Sequence, residues 1–188
     1  MRIISGIAKG KKILIPIDKK TRPLRDMVRE SIFNILNHSN LLKYKLDKCI
    51  VLDLFSGVGS FGLEAISRGV KKVIFFEDYN PAIKLLIKNI NNLEFHKKTK
   101  INKKNIYLDN ELKKLNYKFD IVFLDPPFRD KNLKLLLKNL STIKSINSET
   151  LIIIHRHKNT NDDFKINFKV VREEFYGTSK IIFGFFIS

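Results

Sequence analysis

The unit that most constrains this chain runs from Cys49 to Glu77, CIVLDLFSGVGSFGLEAISRGVKKVIFFE. Its first segment, CIVLDLF, is a run of branched and apolar residues and reads as a strand buried on both faces, as in a parallel sheet. Gly57, Gly59 and Gly62 follow with the spacing G-x-G-x-x-G and open a helical stretch, SFGLEAISRG, that Gly69 closes. KKVIFFE is a second strand, and its final acid, Glu77, falls roughly twenty residues beyond the loop, where such folds carry a ribose-binding carboxylate. Strand, glycine turn, helix, strand and acid together predict backbone drawn close to a nucleotide-like ligand at the start of a helix.

The same alternation continues. NPAIKLLIKNINNL is a helix with Asn80 as its expected N-cap and Pro81 at the first helical position. KINKKNI is a weak third strand, FDIVFLDPPF a fourth, KNLKLLLKNLSTI a helix and TLIIIHRH a fifth strand. FKVVREEFYGTSKIIFGFFIS then reads as two strands around Gly177, Thr178 and Ser179, a terminal hairpin. The pattern predicts an α/β, Rossmann-like doubly wound sheet over residues 46–188.

Residues 1–45 differ. RIISGIAKGKKILIP predicts a short hairpin turning near Gly10, and TRPLRDMVRESIFNILNH a helix whose apolar stripe is Val28, Ile32, Ile35 and Leu36. The stretch carries Arg2, Lys9, Lys11, Lys12, Lys19, Lys20, Arg22, Arg25 and Arg29 against Asp18, Asp26 and Glu30. Over the whole chain 36 basic residues face 19 acidic ones, a formal charge of +17, which points to a polyanionic partner. A Lys-, Asn- and Ile-rich composition can also follow from base composition, so the charge gains meaning from its placement. Residues 1–45 are therefore expected to be a basic extension with a phosphate-binding face, with Lys9, Lys11, Lys12, Arg22, Arg25 and Arg29 as phosphate contacts; a solvated surface is the plainer alternative.

At 188 residues the chain suits one main core. No apolar run approaches membrane-spanning length and MRIISGIAKGKK lacks a signal-peptide core, so a cytoplasmic protein is expected. The single cysteine, Cys49, excludes an internal disulfide and a cysteine zinc cluster, and its place before a strand suits a buried thiol. His155 and His157 alternate on the fifth strand without a carboxylate pair or cysteine nearby, so no metal is expected.

Two features choose among nucleotide-like ligands. Asp53 stands four residues before Gly57, giving D-x-F-x-G-x-G with Phe55 between, and an acid there suits a cationic cofactor better than a pyrophosphate. No Lys-Ser or Lys-Thr follows the glycines, which excludes a triphosphate loop. S-adenosylmethionine, with a sulfonium, an ammonium and a ribose diol, fits Asp53 and Glu77 better than NAD. The second feature is the end of the fourth strand. Pro126 and Pro127 stiffen an extended exit and leave nearby carbonyls free, between Asp125 and Phe128.

Asp125 to Phe128, DPPF, resembles the (D/N)-P-P-(F/Y) motif of class I methyltransferases acting on planar nitrogens. The lone pair of an exocyclic amine is delocalised into its ring. An Asp125 carboxylate and a Pro126 carbonyl that accept the two N–H bonds favour a pyramidal nitrogen aimed at the methyl group, and Phe128 can stack on the extruded base. In order, RIISG, RPLRDMVRESIFN, DLFSGVGSFGLEAISRG, FFE and LDPPF resemble the RsmD family, bacterial enzymes that methylate the N2 amine of a guanine in small-subunit ribosomal RNA.

That resemblance implies a seven-stranded, mostly parallel sheet with a C-terminal antiparallel hairpin, an S-adenosylmethionine cofactor, and ribosomal RNA within an assembled or assembling 30S particle as substrate. It implies Asp125, Pro126, Pro127 and Phe128 as catalytic residues, and Asp53, Phe55, Gly57, Gly59, Glu77 and Asn105 around the cofactor, Asn105 standing where an acid often meets the adenine amine. A monomer is expected, with neither membrane nor metal. A DNA adenine-N6 methyltransferase shares DPPF but normally carries a recognition domain for which this chain has little room. A non-catalytic assembly protein has no use for the strand-end geometry.

Overall fold

A computed structural model describes residues 1–16, 24–107, 110–128, 130–162, 164 and 167–187. Arg22, Lys19 and Lys20 of the basic extension lie outside the described residues.

Five parallel strands form the body of the sheet: β1 (Ile50–Leu54), β2 (Lys72–Phe76), β3 (Thr99–Asn102), β4 (Ile121–Leu124) and β5 (Leu151–His157). β6 (Phe168–Tyr176) and β7 (Ser179–Phe186) are the terminal hairpin, and β7 runs antiparallel against both β5 and β6. The order is β3-β2-β1-β4-β5-β7-β6. Chain direction across the sheet reverses between β1 and β4, so a crevice opens there at the carboxyl ends of both strands, the position at which such sheets take ligands.

The two-residue period of the strands divides the apolar side chains between two faces. Val51, Phe75, Ile121, Phe123, Ile153 and Phe183 share one cluster with α1 (Asp26–His38), α2 (Ser60–Ser67) and α3 (Asn80–Asn92). Leu52, Ile74, Val122, Leu124, Ile154 and Ile182 share the other with α4 (Leu133–Leu140). Gly62 allows α2 to lie close on the sheet, since a Cβ there would stand 2.3 Å from the Phe75 ring. α3 begins at Asn80 with Tyr79 in the cap position and no side-chain cap bond, one residue earlier than the expected Asn80 cap.

The N-terminal residues belong to the first of these cores. Ile3, Ile13, Val28, Ile32 and Phe33 are buried in the same cluster as the sheet. Phe33 of α1 stacks on Phe61 of α2 with centroids 5.1 Å apart, and Phe61 stacks on Phe123 of β4 at 3.9 Å. Each such pair contributes about 0.5–1.5 kcal/mol beyond its buried area, and the ladder ties the N-terminal helix to the strand that ends in DPPF. The expected hairpin forms around Gly6 and Gly10 but consists of a single bridge, Arg2 to Lys12. Its next two N–H groups, of Ile4 and Ser5, turn instead to the buried carboxylate of Glu64, at 2.8 and 3.0 Å.

Cys49 is buried, and burial pushes its thiol up to about 12, consistent with an inert core side chain. Among the described residues no helix is long and apolar enough to cross a membrane.

Candidate active site

Register brings the predicted residues to one level. Leu54 pairs with Phe76 on one side and Leu124 on the other, so the next residues of the three strands, Phe55, Glu77 and Asp125, leave the sheet side by side. A cavity of about 170 Å³ lies over these ends, and Phe55, Glu77, Asp78, Asn105, Tyr107 and Pro127 are among the residues that line it.

The glycine loop is held from below and from the side. Asp53, expected to meet a cationic cofactor, is 1% exposed and its Oδ2 accepts the Gly62 N–H at 3.0 Å. Burial holds its carboxyl well above the usual range, against the downward pull of that N–H and with further upward pressure from Asp125 and Glu77. That bond ties Asp53 to the first turn of α2. Glu77 Oε2 accepts the Gly57 N–H at 2.6 Å, and Oε1 accepts those of Asp78 and Tyr79 at 3.1 and 2.9 Å. A carboxylate offers about four acceptor directions, so one of them is left for the cavity. Burial raises the Glu77 pKa more than the Tyr79 and Gly57 N–H groups lower it.

Gly57 has φ +56° and open space where a Cβ would project. Phe55 adopts φ +61°, an unfavourable conformation for a bulky residue and one that concentrates at ligand sites. Its ring lies 5.7 Å from that of Tyr107, giving the cavity an aromatic wall. Asn105 donates from Nδ2 to Asp78 at 2.7 Å and accepts the Tyr107 N–H at Oδ1, which fixes its amide in the cavity wall. A carboxylate with one direction left and a ring-lined slot beside the glycine loop fit a nucleoside-bearing cofactor with hydroxyls to bind.

Beside this cavity stands the DPPF turn. Asp125 is 20% exposed at its side chain, Pro126 is buried and Phe128 half-buried. Asp125 Oδ1 meets His155 Nδ1 at 2.8 Å. Among the described residues no donor reaches Asp125 Oδ2 or the Pro126 carbonyl. The Pro127 carbonyl accepts from the Asp130 N–H at 2.8 Å and from Arg156 at 3.3 Å, and Arg156 also binds the Asp130 carbonyl and both oxygens of Asp162. Arg156 is 2% exposed and braces the turn from behind. Tyr107 donates its hydroxyl to Asp130 at 2.7 Å; burial and then Asp130 raise its pKa.

The sequence does not show the contacts that His155 and Arg156 make at this turn. A charged residue amid the apolar run LIIIHRH is a usable signal, because buried charge is retained only with partners; Asp162 lies only six residues from Arg156, but the contacts to Asp125, Pro127 and Asp130 span 26 to 30 residues. His155 is engaged by Asp125 and Ser179, and His157 accepts the Asn159 N–H, so the pair does not stand as a bare ligand set.

The basic residues divide. Lys9, Lys11, Lys12 and Arg25 are exposed, and the Arg25 guanidinium reaches the turn at Gly177. Arg29, expected to contact phosphate, is corrected: it is 0% exposed, bound to the Arg2 carbonyl at 2.6 Å, to Asp26 at 3.0 Å and near Glu64 at 3.5 Å. Helical periodicity explains this, since Arg29, Ile32, Phe33 and Leu36 occupy one stripe and all are buried.

Comparison with known proteins agrees with this architecture. The family described as Conserved hypothetical protein 95 matches residues 1–185. The ribosomal RNA small subunit methyltransferase D of Buchnera aphidicola subsp. Baizongia pistaciae is 34% identical over 171 residues, covering 86% of this chain and 78% of that one. Among solved structures, yhhF of Escherichia coli matches with a TM-score of 0.78 at 28% identity, covering 100% of this chain and 98% of that chain. An RNA methyltransferase of Salinibacter ruber, solved in complex with S-adenosyl-L-homocysteine, shares the fold at a TM-score of 0.65 and 12% identity, covering 89% of this chain and 95% of that chain. The fold is that of the class I S-adenosylmethionine-dependent methyltransferases, and the chain belongs to the RsmD family of ribosomal RNA methyltransferases.

Proposed function

We propose that this protein transfers a methyl group from S-adenosylmethionine to the exocyclic N2 amine of a guanine in 16S, small-subunit ribosomal RNA. The observation that carries the reading is a pair of acceptors at the end of β4 that no described residue engages, Asp125 Oδ2 and the Pro126 carbonyl, beside a cavity suited to a nucleoside cofactor. Bound there, S-adenosylmethionine supplies an electrophilic methyl group on a sulfonium.

The residues that would hold it are Gly57 and Gly59 through the loop backbone, Glu77 at the ribose, and Phe55, Ile106 and Asn105 at the adenine. Asp53 supports them from beneath. Asp125 and Pro126 accept the two N–H bonds of the substrate amine, which withdraws its lone pair from ring conjugation and aims it along one direction. Orientation of this kind supplies a large part of the rate in bimolecular transfer. Phe128 stacks on the base, and Pro127 keeps the turn rigid. An amine acceptor site of this chemistry suits a base turned out of its helix.

Residues 1–45 serve as the RNA-binding extension in this reading and residues 46–188 as the catalytic unit. Lys9, Lys11, Lys12 and Arg25 supply exposed positive charge for phosphates. The substrate is the RNA within an assembled or assembling 30S particle in the cytoplasm, and the protein acts as a monomer. Mass mapping of small-subunit nucleosides from cells with and without the gene tests the proposal. Loss of a single N2-methylguanosine is the expected result; loss of a methylated adenosine or cytidine, or no loss, would refute it.

A further inference from the structure

His155 lies on β5, next to the strand that carries Asp125, and its side chain is 9% exposed. Nδ1 is 2.8 Å from Asp125 Oδ1 and Nε2 is 2.9 Å from Ser179 Oγ at the start of β7. A carboxylate in its ionised form only accepts, so the shared proton sits on Nδ1. In a neutral ring Nε2 is then the acceptor and the Ser179 hydroxyl its donor, which sets one direction for the chain from Ser179 through His155 to Asp125. The same imidazole packs edge-on against Phe128, with centroids 5.3 Å apart and planes at 80°. One ring therefore touches both the carboxylate and the aromatic side chain of DPPF.

The arrangement acts on Asp125 in particular. A short carboxylate side chain turns freely about its last bond unless a donor fixes its plane. A bond to Oδ1 removes that freedom and commits Oδ2, which no described residue engages, to whatever enters beside it. We infer that His155 is a positioning residue of the methyl-transfer site: it locks the plane of Asp125 so that Oδ2 faces the substrate amine, and it backs the Phe128 ring on which the base stacks. This rests on the proposed amine methylation. The plain alternative is a satisfied histidine that fills the seam between β5 and β7, which would affect stability and leave the chemical step alone.

The test uses the full-length protein, S-adenosylmethionine and small ribosomal subunits isolated from cells lacking the gene. His155→Leu should lower kcat about tenfold to a hundredfold, with KM for the subunits, cofactor affinity by calorimetry and the melting temperature nearly unchanged. His155→Asn, whose amide N–H can stand where Nδ1–H stood, should recover most of the lost kcat. Wild-type kcat in His155→Leu would overturn the inference, as would equal kcat losses in the Leu and Asn variants that track their melting temperatures. Imidazole nitrogen NMR of the cofactor-loaded protein separates this from the fate of the substrate reading. The expected spectrum has an Nδ1–H resonance that shifts in Asp125→Ala. If the wild-type protein leaves these subunits unmethylated, the amine reading fails by itself, and a ring protonated only at Nε2 would remove the His155 role as well.

Discussion

Glu64, midway along α2, and Asp125, at the end of β4, each draw distant parts of the chain together, but their surroundings are arranged differently. Glu64 is fully buried, and the chain surrounds both of its oxygens: Oε1 with the Ser5 N–H and Arg68 Nε, Oε2 with the Ile4 N–H and, at 3.5 Å, the Arg29 guanidinium. Asp125 keeps one-fifth of its side chain exposed and spends one oxygen on His155, with no described donor at the other. A fully buried carboxylate with donors and cations around both oxygens is a strut, and one held at a single oxygen beside solvent is prepared for a ligand. The same contrast divides Arg29 from Arg25, four residues apart on the basic extension: the first closes the Glu64 network and the second faces solvent.

Breaking the closed centre should have the largest effect on stability. Arg29→Ala leaves Glu64 in the core short of a cationic partner, and such a loss costs about 3–5 kcal/mol; a denaturant titration should find it, while Arg25→Ala unfolds at the wild-type midpoint. Equal stability of the two variants would break the comparison. Next in size is Glu77→Ala. It removes the expected bonds to the ribose and the tie to Gly57 together, so cofactor affinity should fall by about 1.5–3 kcal/mol in a calorimetric titration. Unchanged affinity would mean that Glu77 serves the loop alone.

Arg25→Ala sharpens the surface side of the contrast. If Arg25 meets one phosphate, the salt dependence of RNA affinity should flatten by about one unit of slope, with cofactor affinity and melting unchanged. An unaltered slope would remove Arg25 from the interface.

The smallest expected effect is at Asp53, and it depends on pH. Its folded pKa is raised above the unfolded value by burial, so the folded state binds the proton more tightly. Asp53 therefore costs nothing below the unfolded pKa and weighs increasingly against folding as pH rises from there through the folded value. Asp53→Asn removes that penalty and can still accept the Gly62 N–H. The melting temperature of Asp53→Asn minus that of the wild type should accordingly grow from acidic to neutral pH; a difference that shrinks over that range would contradict the assignment.

What was legible in the sequence follows from where partners lie. Long apolar runs such as LIIIHRH and IVFL, the glycine spacing and the two prolines are local signals, and they gave the sheet order its raw material and the level at which Phe55, Glu77 and Asp125 emerge. Side-chain roles set by remote donors were not legible. The His155 bond to Asp125 spans 30 residues and the Glu64 bonds to Ile4 and Ser5 about 60. Arg29 was readable in principle, because its place on the buried stripe of α1 outweighs its charge.

On this reading Asp125 is held open for the amine and contributes little to cofactor binding or to the fold. Single-turnover methyl transfer to unmodified small subunits by Asp125→Ala, measured beside cofactor affinity and melting of the same preparation, tests it most directly. The rate should fall by about a hundredfold or more, with affinity and melting close to wild type and a milder loss in Asp125→Asn, whose carbonyl still accepts one N–H. A near wild-type rate in Asp125→Ala, or a rate loss matched by lost cofactor binding, would contradict the account.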